Sequence, residues 1–101
     1  MGIDIQLEDE RGNRIDGTGD PNILSRFLSL AQDSSFVCLR FVDPYGNTTF
    51  NGLQMEPLLQ ELQNIRAAAV TAQERELLDK IQELAERCRS SPHLYLKFYG
   101  D

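Results

Sequence analysis

The sequence is poor in the residue types that most often carry catalysis or bind metals. It contains one histidine, His93, and two cysteines, Cys38 and Cys88, and none of them has partners at a zinc-like spacing such as Cys-x-x-Cys. A Gly-x-Ser-x-Gly segment is also absent, so no serine-hydrolase site can be assigned. We therefore expect no catalytic residues, no metal and no cofactor, and the sequence favours a protein that is not an enzyme.

Long apolar runs are missing as well. No stretch approaches the ~20 apolar residues that a membrane-spanning helix needs. The N-terminal Met-Gly-Ile-Asp-Ile-Gln has neither the basic nor the apolar region of a signal peptide. Two cysteines without an export signal are typical of reduced thiols. We predict a cytoplasmic protein with no membrane partner.

Positive charge is scarce, since ten basic residues face sixteen acidic ones and the formal net charge is −6. This balance opposes binding to nucleic acid and to anionic membranes, and it suits a basic protein partner. The length of 101 residues predicts a single domain over residues 1–101.

One acidic segment begins like a calcium loop, with Asp16, Thr18 and Asp20 at alternate positions. An EF-hand loop requires glycine at its sixth position and glutamate at its twelfth, where this sequence has Pro21 and Phe27. We therefore interpret the segment as an acidic loop that leads into the N-terminus of a helix.

Alternation of apolar and polar residues predicts the strands of a sheet. Two of them form a central hairpin, because Asp43-Pro44-Tyr45-Gly46 has the residue types of a tight turn. In the first strand of that hairpin, Val37, Leu39 and Phe41 alternate with Cys38 and Arg40. The predicted strands cover residues 2–8, 14–16, 37–41, 48–50 and 93–99.

Apolar stripes at helical spacing predict three helices. The first covers 21–32, with Asp20 as N-cap and Pro21 at the first helical position. The second begins near residue 55 and the third ends near residue 89. Ala67 to Ala69 would allow one continuous helix, but Thr71-Ala72-Gln73-Glu74 is a capping-box pattern, so we predict a break near Val70.

These elements predict an α+β fold, a two-layer sandwich with a mostly antiparallel sheet of four to five strands and three helices on one face, in the order ββα-ββ-αα-β. The last strand follows a long helical excursion, so it can return to the sheet interior beside strand one or three. Outside the helix stripes, the predicted core residues are Ile3, Ile5, Leu7, Leu39, Phe41, Leu94, Leu96 and Phe98.

Segments 2–32 and 36–69 resemble each other as two ββα units at an offset of 34 residues, at which Asp9-x-x-Gly12-Asn13 aligns with Asp43-x-x-Gly46-Asn47. Duplication explains this match, and so does shared turn chemistry.

The sheet face away from the helices is the most informative surface. Tyrosine and arginine are enriched at protein interfaces, so these residues predict an interaction face, although an ordinary half-exposed sheet face is the alternative. An RNA-binding sheet also shows aromatic residues, but the negative charge argues against RNA. The candidate face consists of Asp4, Gln6, Arg40, Tyr95, Lys97 and Tyr99, with Cys38 beside them.

Three segments carry a resemblance to known proteins: Gly-Ile-Asp-Ile-Gln-Leu-Glu-Asp at the start, Asp-Pro-Tyr-Gly-Asn-Thr-Thr-Phe-Asn in the centre and Pro-His-Leu-Tyr-Leu-Lys-Phe-Tyr-Gly-Asp at the end. In them the chain resembles, over its whole length, a group of small stand-alone bacterial proteins of uncharacterised function. The resemblance implies a bacterial context, and it brings no activity and no catalytic residues.

Two functional hypotheses follow. The first is a small acidic, non-enzymatic protein-interaction module, which masks a basic protein as immunity proteins do or forms a homodimer through the candidate face. The second is a small-molecule-binding protein or weak enzyme, with Tyr95, Arg40 and His93 around a pocket at the end of the sheet.

Overall fold

The computed structural model describes residues 2–20 and 22–100 and confirms the α+β class. Within these residues, four strands form one antiparallel sheet, and three α-helices pack against it. Two short 3₁₀ helices, Leu39–Phe41 and Gly52–Gln54, lie in the connections. The elements in chain order are β1 (Asp4–Asp9), β2 (Arg14–Gly19), α1 (Leu24–Leu30), β3 (Asn47–Asn51), α2 (Met55–Arg66), α3 (Ala72–Arg89) and β4 (Leu94–Tyr99).

The sheet has the strand order β2-β1-β4-β3, so the last strand lies in the interior between β1 and β3, as predicted. This position suits β4 because its apolar residues Leu96 and Phe98 are fully buried against the helices. The ring of Phe98 meets that of Phe50 from β3 edge to face, with centroids 5.8 Å apart. A strand with this apolar content is safer in the interior than at an open edge.

The predicted break between α2 and α3 is confirmed. Thr71 accepts a hydrogen bond through Oγ1 from the backbone N–H of Glu74 at 3.1 Å, and Glu74 Oε1 accepts one from the N–H of Thr71 at 3.0 Å. This reciprocal capping box satisfies two N–H groups that a helix start leaves without partners. A local signal of four residues, Thr71 to Glu74, therefore begins α3 after α2 has ended at Arg66.

The first helix is shorter than predicted, since α1 begins at Leu24 and ends at Leu30. The predicted N-cap is displaced as well: Ile23 occupies that position without a side-chain cap, although Asp20 Oδ1 accepts hydrogen bonds from the backbone N–H groups of Ile23 (2.6 Å) and Leu24 (3.0 Å). The prediction that Pro21 is the first helical residue concerns a residue outside the described part of the chain.

The central hairpin was predicted wrongly in its first strand, because residues 37–41 form no strand, whereas the predicted turn at Asp43–Gly46 and the return strand, β3, are present. The carboxylate of Glu61 on α2 accepts hydrogen bonds from the backbone N–H groups of Val37 (2.7 Å), Cys38 (3.1 Å) and Leu39 (2.8 Å). Successive N–H groups of a strand point to opposite edges, so three consecutive ones cannot converge on one carboxylate. They can do so where a turn begins, and the 3₁₀ helix Leu39–Phe41 follows at once.

This correction changes the predicted core. Phe41 was expected inside but is 61% exposed, whereas Cys38, expected to face away from the helices, is buried. Leu94 packs against the core but is only partly buried. The other predicted core residues, listed above from Ile3 to Phe98, are buried in a single cluster between sheet and helices.

The proposed internal repeat changes in the same way. The 34-residue offset aligns Ile3, Ile5 and Leu7 with Val37, Leu39 and Phe41, which form no strand. The second unit is therefore a single strand followed by a helix, and the ββα order does not recur.

Candidate functional site

The outer face is the side of the sheet that points away from the helices. Strand register places three pairs of residues on it: Asp4 opposite Tyr99, Gln6 opposite Lys97, and Glu8 opposite Tyr95. Five of the six residues of the predicted candidate face therefore lie together. The neighbouring strands extend the three rows with Asn47, Thr49 and Asn51 on β3, and with Arg14 on β2 beside Glu8.

Glu8 lies on the inner strand β1 in the row of Tyr95 and is only 3% exposed. Its Oε2 accepts a hydrogen bond from the hydroxyl of Tyr99 at 2.5 Å, and its Oε1 lies 3.1 Å from Nζ of Lys97. Burial of a carboxylate is costly unless charge and hydrogen-bonding partners replace water, and here both oxygens have a partner. The Glu8 cluster, meaning Glu8, Lys97 and Tyr99, is thus a satisfied polar network on an otherwise uncovered sheet.

In this cluster the side chain of Tyr99 lies along the surface of the sheet. Tyr99 pairs with Asp4, four residues from Glu8 on β1, yet its hydroxyl reaches the Glu8 carboxylate. The side chain must therefore extend along the strands instead of standing out into solvent. This arrangement explains how an acidic side chain becomes buried on a face without helices.

The protonation states of Tyr99 and Lys97 do not suit general-base chemistry. The hydrogen bond to Glu8 raises the pKa of Tyr99, and a contact with the same carboxylate raises the pKa of Lys97. Both groups are thus held in their protonated forms at neutral pH, whereas a base or nucleophile needs the deprotonated form. The cluster can position polar groups, but it does not activate them.

Arg40 was predicted on this face, and the structure places it elsewhere. It lies in the 3₁₀ helix Leu39–Phe41, with its guanidinium carbon 4.6 Å from the ring centroid of Phe41. Its Nε is buried without a hydrogen-bond partner among the described residues. Cys38 also leaves the face, since the strand that would have presented both residues does not form.

Glu8 was missing from the candidate residues predicted from the sequence. Its alternation with Asp4 and Gln6 already placed it on the outer side of β1. Its burial depends on two side chains that lie about ninety positions later in the chain, and no local pattern signals such contacts. The alternation therefore identified the residues of the outer face but did not show that Glu8 is buried among them.

The end cleft is a cavity of about 670 Å³ at the end of the sheet, where β3 ends and β4 begins. Its volume lies in the range of ligand pockets. The second hypothesis placed Tyr95, Arg40 and His93 around a pocket here. Tyr95 does line the cleft, but Arg40 and His93 do not. Nδ1 of His93 instead lies 3.4 Å from Oε2 of Glu10. The lining residues are Asn51, Gly52, Leu53, Glu56, Arg89, Ser91, Pro92 and Tyr95.

The other groups considered for chemistry are committed to the fold. The Asp16 carboxylate pairs with Lys80 (3.0 Å) and Arg87 (2.6 Å) of α3, and hydrogen bonds, first of all that from Lys80, lower its pKa to about 2. Burial raises the pKa of both thiols, Cys38 and Cys88, to about 11. Across residues 2–20 and 22–100, no group of three or more His, Cys, Asp or Glu side chains could hold a metal ion.

None of the helices within these residues combines the length and the apolar content that crossing a membrane requires. Comparison with known proteins gives no match: no family model fits the chain, and neither curated proteins nor solved structures show significant similarity to it. Function must therefore be inferred from the outer face and the end cleft themselves.

Proposed function

We propose that this chain is a small, acidic, cytoplasmic interaction module that binds a basic protein through the outer face and masks it, without enzymatic activity. The observation that carries the proposal is the Glu8 cluster, in which two hydrogen-bonded contacts hold Tyr99 and Lys97 in place. Side chains that are already ordered lose little conformational entropy when a partner binds. The cluster therefore supplies a prepared surface on this face.

The residues around the cluster suit a protein partner. Tyr95 is half-buried beside it and offers a large, stiff contact area with a polar tip. Asn47, Thr49 and Asn51 on β3 are exposed and provide short polar groups at the rim. Tyr95 and Tyr99 thus supply aromatic contact area and the β3 residues a polar rim, a combination that is common at protein interfaces.

Charge favours a basic partner. Lys97 is paired with Glu8 on the outer face, and exposed Arg14 in the row of Glu8 balances exposed Asp4 in the row of Tyr99. The attraction to a basic partner is therefore that of the whole chain. The formal net charge of −6 attracts a basic protein at long range and raises its association rate. Nucleic acid, which needs a basic surface, is repelled by the same charge.

The test is capture followed by measured affinity. The tagged protein is used to capture partners from a bacterial lysate of its own host, and genes encoded next to its own nominate the first candidate. Binding of the purified partner is then measured by calorimetry for the wild type, Asp4→Lys, Tyr95→Ala and the control Glu76→Lys. Glu76 is exposed on α3 in the helix layer, so the control makes the same charge change away from the outer face.

We expect Asp4→Lys and Tyr95→Ala each to weaken binding by about tenfold or more, and Glu76→Lys to leave it nearly unchanged. Neither outer-face variant removes a hydrogen bond or an ion pair of Glu8, so both variants should stay folded. The proposal fails if no protein partner is found and only small metabolites bind, or if the partner binds both outer-face variants as tightly as the wild type.

A further inference from the structure

The end cleft contains two opposite charges that have no ion-pair partner among the described residues, although each lies at the helix end where it favours the helix dipole. Glu56 lies in the first turn of α2, and Arg89 is the last residue of α3. Both are exposed, and neither forms an ion pair within residues 2–20 and 22–100. The cleft thus has one free acid and one free base on the same lining.

The same cleft has an apolar side chain that faces solvent. Leu53 is 90% exposed, more than any other large apolar residue in the part of the chain that the structure describes. It lies in the 3₁₀ helix Gly52–Gln54, and Pro92 and Tyr95 add apolar surface to the lining of the same cleft. Exposure of a whole leucine forgoes the burial energy that its side chain could supply.

The turn that presents Leu53 is fixed and not loose. Asn51 Oδ1 accepts hydrogen bonds from the backbone N–H groups of Leu53 (3.0 Å) and Gln54 (3.3 Å), and Gln54 Oε1 accepts one from the N–H of Asn51 (2.9 Å). A Cβ at Gly52 would lie 3.3 Å from the carbonyl oxygen of Cys88, so the turn packs closely on the end of α3. Leu53 is therefore held in an exposed position by the fold around it.

We infer that the end cleft binds a second copy of this chain in a two-fold symmetric dimer. In such an interface, if residue i contacts residue j of the other copy, j also contacts i. Glu56 of each copy then faces Arg89 of the other, and each Leu53 enters the opposite cleft beside Tyr95. A surface with one acid, one base and one protruding apolar group complements itself under this symmetry, although each copy is acidic overall.

This dimer goes beyond the proposed function because it uses the end of the sheet, where the outer face supplies only Tyr95 and Asn51. Asp4 lies at the far end of β1 from the cleft, in a different row of the outer face from Tyr95. An effect of Asp4→Lys on partner binding and an effect of cleft variants on dimer formation can therefore be told apart.

The first measurement is sedimentation equilibrium of the full chain over a range of concentrations at moderate salt. We expect the mass of the wild type to rise from 11.5 kDa towards twice that value. Leu53→Asp, Glu56→Arg and Arg89→Glu should each weaken the dimer by about tenfold or more, because each buries a charge or opposes like charges. Glu76→Arg is the matched control outside the cleft, and circular-dichroism melting verifies that every variant is folded.

The decisive measurement is rescue by exchange of the two charges. The double variant Glu56→Arg/Arg89→Glu should dimerise again, because each contact once more joins an arginine to a glutamate. For the same reason the two single variants, each weakly associating alone, should form a mixed dimer with each other. Glu56→Arg changes the formal net charge from −6 to −4, and Arg89→Glu changes it to −8. Both variants stay acidic, so attraction between oppositely charged proteins does not explain a mixed dimer.

The inference is overturned if the wild type stays monomeric at the highest soluble concentration. It is also overturned if a dimer forms but neither the double variant nor the mixture recovers affinity. A third contrary result is a small metabolite that stabilises the monomer in a thermal-shift screen and loses this effect in Leu53→Asp, because the cleft would then be a ligand pocket.

Discussion

Replacement of Glu61 with glutamine removes the charge that organises residues 37–39 while it keeps the shape of the side chain. Glu61 is buried, and its two oxygens accept hydrogen bonds from the backbone N–H groups of Val37, Cys38 and Leu39. In glutamine, one of these oxygens becomes an NH₂ group, which donates and cannot accept. At least one backbone N–H then faces another donor.

The cost of this change can be worked from the contacts. A hydrogen bond to a charged acceptor contributes about 1.5–3 kcal/mol, and a buried donor without a partner costs about 1–3 kcal/mol. Because these figures overlap and do not add fully, we expect Glu61→Gln to lower the free energy of unfolding by about 2–4 kcal/mol. This is a large part of the total of about 5–15 kcal/mol that a domain of this size has.

Urea unfolding and amide hydrogen exchange would measure the effect. We expect a lower midpoint in urea, together with faster exchange at Val37 and Leu39 than in β4, whose amides should lose protection only in proportion to overall stability. Glu76→Gln is the matched control, because Glu76 is exposed and its change should stay within about 0.5 kcal/mol. A Glu61→Gln variant within that same range would refute the claim that Glu61 holds this segment in its turn.

Two further predictions concern titratable groups. The pKa of Glu74 is lowered to about 2, first by hydrogen bonds from the backbone of Val70 and Thr71 and then by Arg26. Because this folded pKa lies below the ordinary value of 4.5, ionised Glu74 adds stability above pH 4.5, and this stability is lost as the pH falls towards 2. Glu74→Gln should therefore make the free energy of unfolding depend less on pH between pH 4.5 and 2. An unchanged slope in this range would contradict the assignment. Cys38 and Cys88 should not react with a thiol reagent at pH 8 until the protein unfolds, since burial raises both pKa values to about 11, and rapid labelling of the native protein would contradict this assignment.

Much of the fold follows from patterns that are short in sequence. The alternation of Ile3, Ile5 and Leu7 predicts β1 because one side of a strand must be buried, and this requirement holds wherever the strand lies in the sheet. The break between α2 and α3 follows from Thr71 and Glu74, which satisfy the helix start by themselves. For such elements, the side chains that decide the structure lie within a few residues of it.

Residues 37–41 show where the sequence alone was insufficient. Their alternation is that of a strand, but the Glu61 carboxylate, more than twenty positions away, binds three of their N–H groups and turns the chain. Burial of that carboxylate requires donors, and it takes the backbone N–H groups that the strand would have used. A long-range electrostatic requirement therefore overrides a local preference.

The candidate site divides in the same way. From the sequence alone, Asp4, Gln6, Tyr95, Lys97 and Tyr99 could be placed on one face, because side chains alternate along a strand whatever its neighbours are. Only the tertiary structure decided that Glu8 is buried between Lys97 and Tyr99, that Arg40 leaves the face, and that Glu56 and Arg89 line the same end cleft. These features depend on which strands and helix ends become neighbours, and that is determined by packing of the whole chain.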